Sequence, residues 1–240
     1  MANFNPTTVA LALSLAGAVS IAQAKPVSYT FTAEVNSLVA TTDDGGFHDV
    51  DYAELAGRHI ARGEKLVGTI TYDAANAQFL QDSDPSTPGT SYDYRLPTFK
   101  LEYKLATGGF SYASADPGFA SVVNATPSDS LLFQSFMMAQ DHGVDLRSSA
   151  SFGLGDLNGK LLNSAAMPAS INTLFPGLLA QSGFGGGLST LDGAEFFSFG
   201  AQLMSLSPAA SPSAVPEPGT YMMMFAGLGA VGFAARRKRS

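Results

Sequence analysis

The sequence predicts a mainly β chain: an antiparallel β-sandwich of jelly-roll type, preceded by an N-terminal signal peptide and followed by a single C-terminal transmembrane helix. Three observations predict it. Apolar residues recur with a period of two over much of residues 25–206. Clusters of Gly, Asp, Ser and Pro separate these runs. One apolar segment at each end, residues 9–21 and 221–235, stands outside the alternation.

Taken in chain order, Met1 to Thr8 precedes an apolar core from Val9 to Ile21, and Ala22-Gln23-Ala24 supplies the small-x-small pattern that signal peptidase cleaves, here before Lys25. Residues 1–24 are therefore expected to direct export across the inner membrane, although this leader has no Lys or Arg ahead of its apolar core. In the segment that follows, Val27, Tyr29, Phe31, Ala33 and Val35 alternate with Ser28, Thr30, Thr32, Glu34 and Asn36, the mark of a strand with one buried face. Leu66 to Tyr72 is rich in β-branched residues, and Phe99, Leu101, Tyr103 and Leu105 alternate with Lys100, Glu102 and Lys104. Phe110 to Ala113 follows a Gly108-Gly109 turn. Leu131 to Met138 is apolar on both faces and is expected to be a central strand. Phe197, Phe199, Ala201 and Leu203 close the pattern.

Turns are expected at Thr41 to Gly46, Gln81 to Thr90, Ala115 to Gly118, Gln140 to Asp145 and Ser182 to Gly187. Helix-compatible residues occur at Tyr52 to Arg62, and short helical turns at Met167 to Gln181 are limited by Pro168 and Pro176. Many short strands with such punctuation suggest one sandwich domain over 25–206. Residues 207–214, with Pro208 and Pro212 among Ala and Ser, read as a stiff stalk.

Between residues 25 and 214 nine basic side chains face nineteen acidic ones, a net charge of −10. So acidic a domain does not suit nucleic acid, which needs clustered Lys and Arg for its phosphates. Absence of cysteine rules out disulfides, thiolate nucleophiles and Cys-ligated metals. With no tryptophan either, any sugar-stacking platform falls to Tyr or Phe.

No enzyme is indicated. His48, His59 and His142 fit no metal-ligand spacing, and no Gly-x-Ser-x-Gly elbow is present. A glycosidase needs only two well-placed carboxylates, which nineteen acids neither establish nor exclude. No cofactor or metal is expected beyond a structural calcium, for which the weak candidates are Asp43, Asp44, Asp82, Asp84, Asp156 and Asn158, oxygen ligands in or beside turns. None completes an EF-hand, and the same residues suit turns for backbone reasons alone.

The last segment, 215–240, has three parts: Val215-Pro216-Glu217-Pro218-Gly219-Thr220, the apolar run 221–235, and Arg236-Arg237-Lys238-Arg239-Ser240. Fifteen apolar residues rise about 22 Å as a helix, short of a hydrocarbon core of about 30 Å. Snorkelling basic side chains and an interfacial Tyr221 assist the span. The positive cluster stays cytoplasmic, which places Pro216, Glu217 and Pro218 on the outer side of the inner membrane. The flanking prolines hold that motif extended, as a processing enzyme requires.

This tripartite tail resembles the PEP-CTERM sorting signal of Gram-negative bacteria. The resemblance implies recognition of Pro216-Glu217-Pro218 by an exosortase, an integral membrane transpeptidase, with Arg236, Arg237, Lys238 and Arg239 as the basic stop signal. It implies that the chain is anchored transiently and then, its tail removed, delivered to the cell surface or extracellular space. Tyr29-Thr30-Phe31-Thr32, Gly68-Thr69-Ile70-Thr71-Tyr72-Asp73 and Gly108-Gly109-Phe110 resemble more loosely an exported domain found in such proteins. Because exosortases accompany exopolysaccharide production, the leading expectation is a non-enzymatic structural or adhesive protein of the extracellular matrix or biofilm. The alternatives are a glycan-binding module, which would show a flat aromatic strip, and a surface-tethered hydrolase, which would show two carboxylates in a concave cleft.

Overall fold

The computed structural model describes residues 25–114, 117–141, 143–174 and 177–209. The expected signal peptide, the transmembrane segment 221–235 and His142 lie outside the described residues. The strands are β1 (Val27–Thr41), β2 (Phe47–Asp49), β3 (Tyr52–Leu55), β4 (Arg58–Ala61), β5 (Lys65–Tyr72), β6 (Gln78–Asp82), β7 (Ser91–Leu96), β8 (Phe99–Leu105), β9 (Ser111–Ala113), β10 (Gly118–Asn124), β11 (Asp129–Asp141), β12 (Val144–Asp156), β13 (Gly183–Thr190) and β14 (Phe196–Pro208). One 3-10 turn, Leu179–Gln181, is the only helical element among the described residues.

The mainly β, antiparallel expectation holds, but the layers do not come from two separate sheets. One sheet runs in the order β6, β7, β10, β11, β12, β13, β14, β1, β5, β8, β9, with β2 added to the far end of β1. It curls until its halves face each other. Phe31 of β1 lies 5.1 Å from Phe152 of β12, Tyr72 of β5 lies 4.9 Å from Phe133 of β11, and Tyr103 of β8 lies 4.7 Å from Phe184 of β13. None of these pairs belongs to adjacent strands, so the core is filled across the fold by aromatic rings. Each ring contributes about 2–3 kcal/mol by leaving water, and each favourable ring pair adds about 0.5–1.5 kcal/mol.

The period of two locates β1, β8 and β14, the β-branched run Leu66 to Tyr72 locates β5, and the residues of the buried parity line the core. In two long strands the alternation slips by one. Asn36 and Ser37 are both exposed in β1, as are Met204 and Ser205 in β14, and burial resumes on the opposite parity at Leu38 and Leu206. Such a slip moves the residues that follow to the opposite face of the strand.

Two expectations are overturned. Tyr52 to Arg62 forms the β3–β4 hairpin rather than a helix. Ala53, Leu55 and Ile60 are buried, and Ala56 and Gly57 take φ of 52° and 74°, the left-handed pair a tight hairpin turn needs. Ser182 to Gly187 is strand β13 over most of its length, not a turn. Its glycines serve close approach: a Cβ on Gly186 would lie 2.7 Å from Tyr103 Oη, and one on Gly187 would lie 3.0 Å from the Phe197 carbonyl oxygen. The last strand also runs through Pro208, two residues into the segment read as a stalk.

β1 and β14 are antiparallel neighbours, with Thr30 Oγ1 3.0 Å from Ser207 Oγ and Thr32 Oγ1 2.7 Å from Ser205 Oγ. The start of β1 and the end of β14 therefore share one end of the domain, the base. The opposite end, the apex, holds the turn after β1 and the β13–β14 turn. A long segment without regular structure, Leu157 to Leu174, covers the base. Buried Asp156 accepts from the Asn158 N–H at 3.0 Å and the Lys160 N–H at 2.7 Å, and buried Asp129 from the Leu162 N–H at 2.9 Å. Ile171 N–H donates to Tyr29 Oη at 2.7 Å, and Tyr94 Oη donates to the Ala165 carbonyl at 3.0 Å.

Candidate functional site

One ligand-sized surface is the outer face of β10 to β14. In β11, Leu131, Phe133 and Ser135 point into the core, which leaves Leu132, Gln134, Phe136 and Met138 on the other side. Phe136 is 56% exposed and Met138 60% exposed. The sequence expectation that this strand is buried on both faces is corrected accordingly: it is interior to the sheet, but nothing covers its second face among the described residues. Phe119 of β10, 39% exposed, lies opposite Gln134 and so diagonal to Phe136, within reach of an aromatic neighbour.

Beside this strip the side chains shrink. Phe136 pairs with Ser149, Ser149 with Gly187, Ser151 with Gly185, and Gly185 with Gly200. A groove of about 680 Å³ runs over Ser151, Gly153, Gly183, Gly185 and Gly200, bordered by Asn36, Gln202 and Gln181. A smaller hollow of about 260 Å³ adjoins it between Phe136, Gln134 and Gly185. The groove has no titratable side chain in its lining. Its chemistry is thus an apolar platform next to amides, hydroxyls and accessible backbone, suited to holding a neutral hydroxylated ligand and not to proton transfer.

A second concavity of about 610 Å³ opens at the apex, with Ala40, Ala53, Leu55 and Phe197 as its floor and Asp43, Glu54 and Glu195 in its lining. Tyr52 Oη donates to Glu54 Oε2 at 2.7 Å, and that bond raises the Tyr52 phenol. All three carboxylates are exposed to solvent. The acid of a glycoside hydrolase instead sits in apolar surroundings that favour its protonated form.

The calcium candidates fall in three separate turns. Asp44 accepts from Thr42 Oγ1 at 2.6 Å, the Gly46 N–H at 2.9 Å and His48 Nε2 at 3.0 Å, and the Thr42 bond leads in lowering its carboxyl to about 2. Asp82 accepts from the Asp84 and Gly89 N–H groups. Asp84 accepts from the Ser86 and Thr87 hydroxyls, which lower its carboxyl. At Asp156 burial pushes the carboxyl up, yet the Asn158 and Lys160 amides outweigh it and the net shift is downward. Asn158 bonds Asp156 and not a shared centre with it. No group of three or more His, Cys, Asp or Glu suited to a metal occurs among the described residues. The carboxylates act as acceptors that close turns.

Sequence reasoning missed Asp129, Tyr29 and Tyr94 as anchors of the 157–174 segment, because a polar atom that bonds distant backbone leaves no local pattern. Phe136 and Met138 did leave one, the apolar residues on both faces of Leu131 to Met138.

The sorting residues Pro216, Glu217, Pro218, Arg236, Arg237, Lys238 and Arg239, and the cleavage residues Ala22 and Ala24, lie outside the described residues. No helix among the described residues is long and apolar enough to cross a membrane. Comparison with known families matches residues 214–239 to the PEP-CTERM protein-sorting motif. No curated protein matches the chain. The motif marks the chain as an exported, exosortase-targeted protein.

Proposed function

We propose that this exosortase-targeted chain is a non-enzymatic protein of the cell surface or extracellular matrix that adheres to polysaccharide through the outer face of β10 to β14. The observation that carries the reading is the exposed Phe119, Phe136 and Met138 strip beside a glycine-floored groove. Aromatic faces bind the apolar face of a sugar ring, while Gln134, Gln181, Gln202 and Asn36 offer the paired donors and acceptors that hydroxyl groups require. The absence of titratable groups from the groove lining favours adhesion over hydrolysis. Export supports it as well, since the motif at 214–239 marks an exosortase-targeted exported chain.

The reading is tested by retention of the domain on exopolysaccharide from its own host. Phe119→Ala with Phe136→Ala is expected to weaken binding about tenfold, the equivalent of losing about 1.4 kcal/mol of contact. Phe47→Ala, an exposed phenylalanine at the apex, is expected to change nothing. Equal binding by all three proteins would remove the outer face from the reading. Exosortase processing is tested separately by the intact mass of the host protein, expected to lack residues 1–24 and the tail beyond the Pro-Glu-Pro region, and by Glu217→Ala, expected to retain that tail.

A further inference from the structure

We propose that a stripe of Arg95, Phe119, Phe136 and Arg147, on the outer face of β7, β10, β11 and β12, selects a polysaccharide that carries carboxylate groups. Sugar rings lie over the phenylalanines and the acids meet the arginines. The inference rests on the adhesive reading of this face and adds to it the chemical class of the polymer.

Strand register puts the four side chains in line. Arg95 of β7 lies directly opposite Phe119 of β10, which in turn lies opposite Gln134 of β11. Phe136 is two residues further along β11 and pairs with Ser149 of β12, and Arg147, two residues from Ser149, pairs with Met138. All four are exposed, while their chain neighbours Tyr94, Leu96, Ala120, Ser135, Leu146 and Ser148 are buried. They therefore leave the same face of the sheet. Three strand spacings of about 4.8 Å and four residues of about 3.4 Å separate the two arginines, which sets their Cα atoms about 20 Å apart. That length accommodates several sugar rings in succession.

Neither arginine is paired with a carboxylate among the described residues, although Arg62 is paired with Asp49 at 3.0 Å and Lys100 with Glu102 at 3.4 Å. The acid nearest each along its own strand is held by a glutamine instead. Gln81 Nε2 donates to Asp93 Oδ2 at 2.9 Å, and Gln140 Nε2 donates to Asp145 Oδ1 at 3.0 Å. Nor do the arginines guard an open edge against pairing, since β7 is covered by β6 and β12 by β13. In a domain with nineteen acidic side chains and nine basic ones, two unpaired guanidiniums at either end of an exposed apolar strip call for an anion from outside.

The order of side chains along the stripe states what that anion is. A guanidinium binds a carboxylate through two parallel hydrogen bonds, and a phenylalanine face covers the apolar face of a sugar ring. A uronic acid presents both groups, its carboxylate at the rim of the ring. The groove beside the stripe has no titratable side chain in its lining, so it takes rings through their hydroxyls, and the acid is recognised at the arginines. The net acidity of the domain repels a densely charged polyanion and leaves a polymer whose acids are spaced by ring faces.

The test uses protein purified from its host and the host's exopolysaccharide in two forms, as isolated and with its carboxyl groups reduced to alcohols by carbodiimide activation and borohydride. The native polymer is expected to bind about tenfold more tightly than the reduced one. Arg95→Gln with Arg147→Gln is expected to remove that advantage and to leave binding of the reduced polymer as it was. Lys104→Gln, which removes an exposed charge on β8, is expected to change neither. Equal binding of the two polymers overturns the proposal, as does an advantage that survives loss of both arginines or falls as far with Lys104→Gln. If Phe119→Ala with Phe136→Ala still weakens both forms, the adhesive reading stands without it; if neither polymer binds, both readings fall. The comparison of two polymers on one unaltered protein keeps a misfolded variant from imitating the result.

Discussion

The base and the apex of the domain use the same residue, aspartate, in opposite ways. At the base, Asp129 and Asp156 are buried and hold the backbone of a long irregular segment against the sheet. At the apex, Asp44 and Asp192 are exposed and close turns of a few residues, Asp192 accepting from Thr190 Oγ1 at 2.6 Å and the Ala194 N–H at 3.0 Å. A turn needs only a local acceptor, which water can replace. A segment of this length, with no ladder of its own, needs acceptors that water does not reach. The acidity of the chain therefore reports two different structural demands.

The contrast can be broken most severely at the base. Asp129→Ala leaves the Leu162 N–H without its buried partner and is expected to cost about 2–3 kcal/mol, read as a lower midpoint in urea. An unchanged midpoint would mean that the segment is not held by this bond. Tyr29→Phe removes the acceptor of Ile171 N–H and keeps the ring in the core, with an expected loss of about 1–2 kcal/mol. Protease cleavage within 157–174 should accelerate in both variants while the sheet stays intact.

Acid sharpens the comparison further. The carboxyls of Asp44, Asp84, Asp156 and Asp192 lie below their ordinary values, Asp44 at about 2. Their folded values lie below the unfolded one of about 3.9, so their contribution is full above about pH 4 and is lost as pH falls toward 2. Melting temperature is expected to hold from pH 5 to 7 and to drop below pH 4. Asp44→Asn and Asp156→Asn should each soften that drop. The smallest effect is expected from Asp44→Asn at pH 7, a slight fall in melting temperature, because solvent screens the exposed carboxylate and Asn keeps an oxygen acceptor.

The parts of the fold legible in sequence were those in which one residue decides one contact. Phe31, Leu101 and Phe199 lie on an alternation that locates β1, β8 and β14, and the β-branched residues around Ile70 locate β5. β13 was hidden because its glycines answer to Tyr103 and to the neighbouring strand backbone, contacts that no local pattern displays. β12 was hidden for a related reason, since Ser148, Ala150, Gly153 and Gly155 give its faces little difference in polarity. For the site, the sorting motif at 214–239 was legible because it is a linear signal carried by consecutive residues. The outer-face groove was not, because Phe119, Phe136 and Gly185 belong to three strands whose pairing only the fold creates.

The seam between β1 and β14 carries a consequence for timing. Thr30 meets a partner 177 residues later in the chain, and β14 sits in the middle of the strand order, not at an edge. A chain that crosses a membrane from its N-terminus delivers β1 first and β14 last. Until residues 196–208 emerge, β1 lacks its neighbour β14, and the halves of the sheet cannot be joined. Pairing across so long a stretch is slow, because the loop must close before any contact rewards it. Completion of the domain thus waits for the strand that ends just ahead of the sorting motif at 214–239.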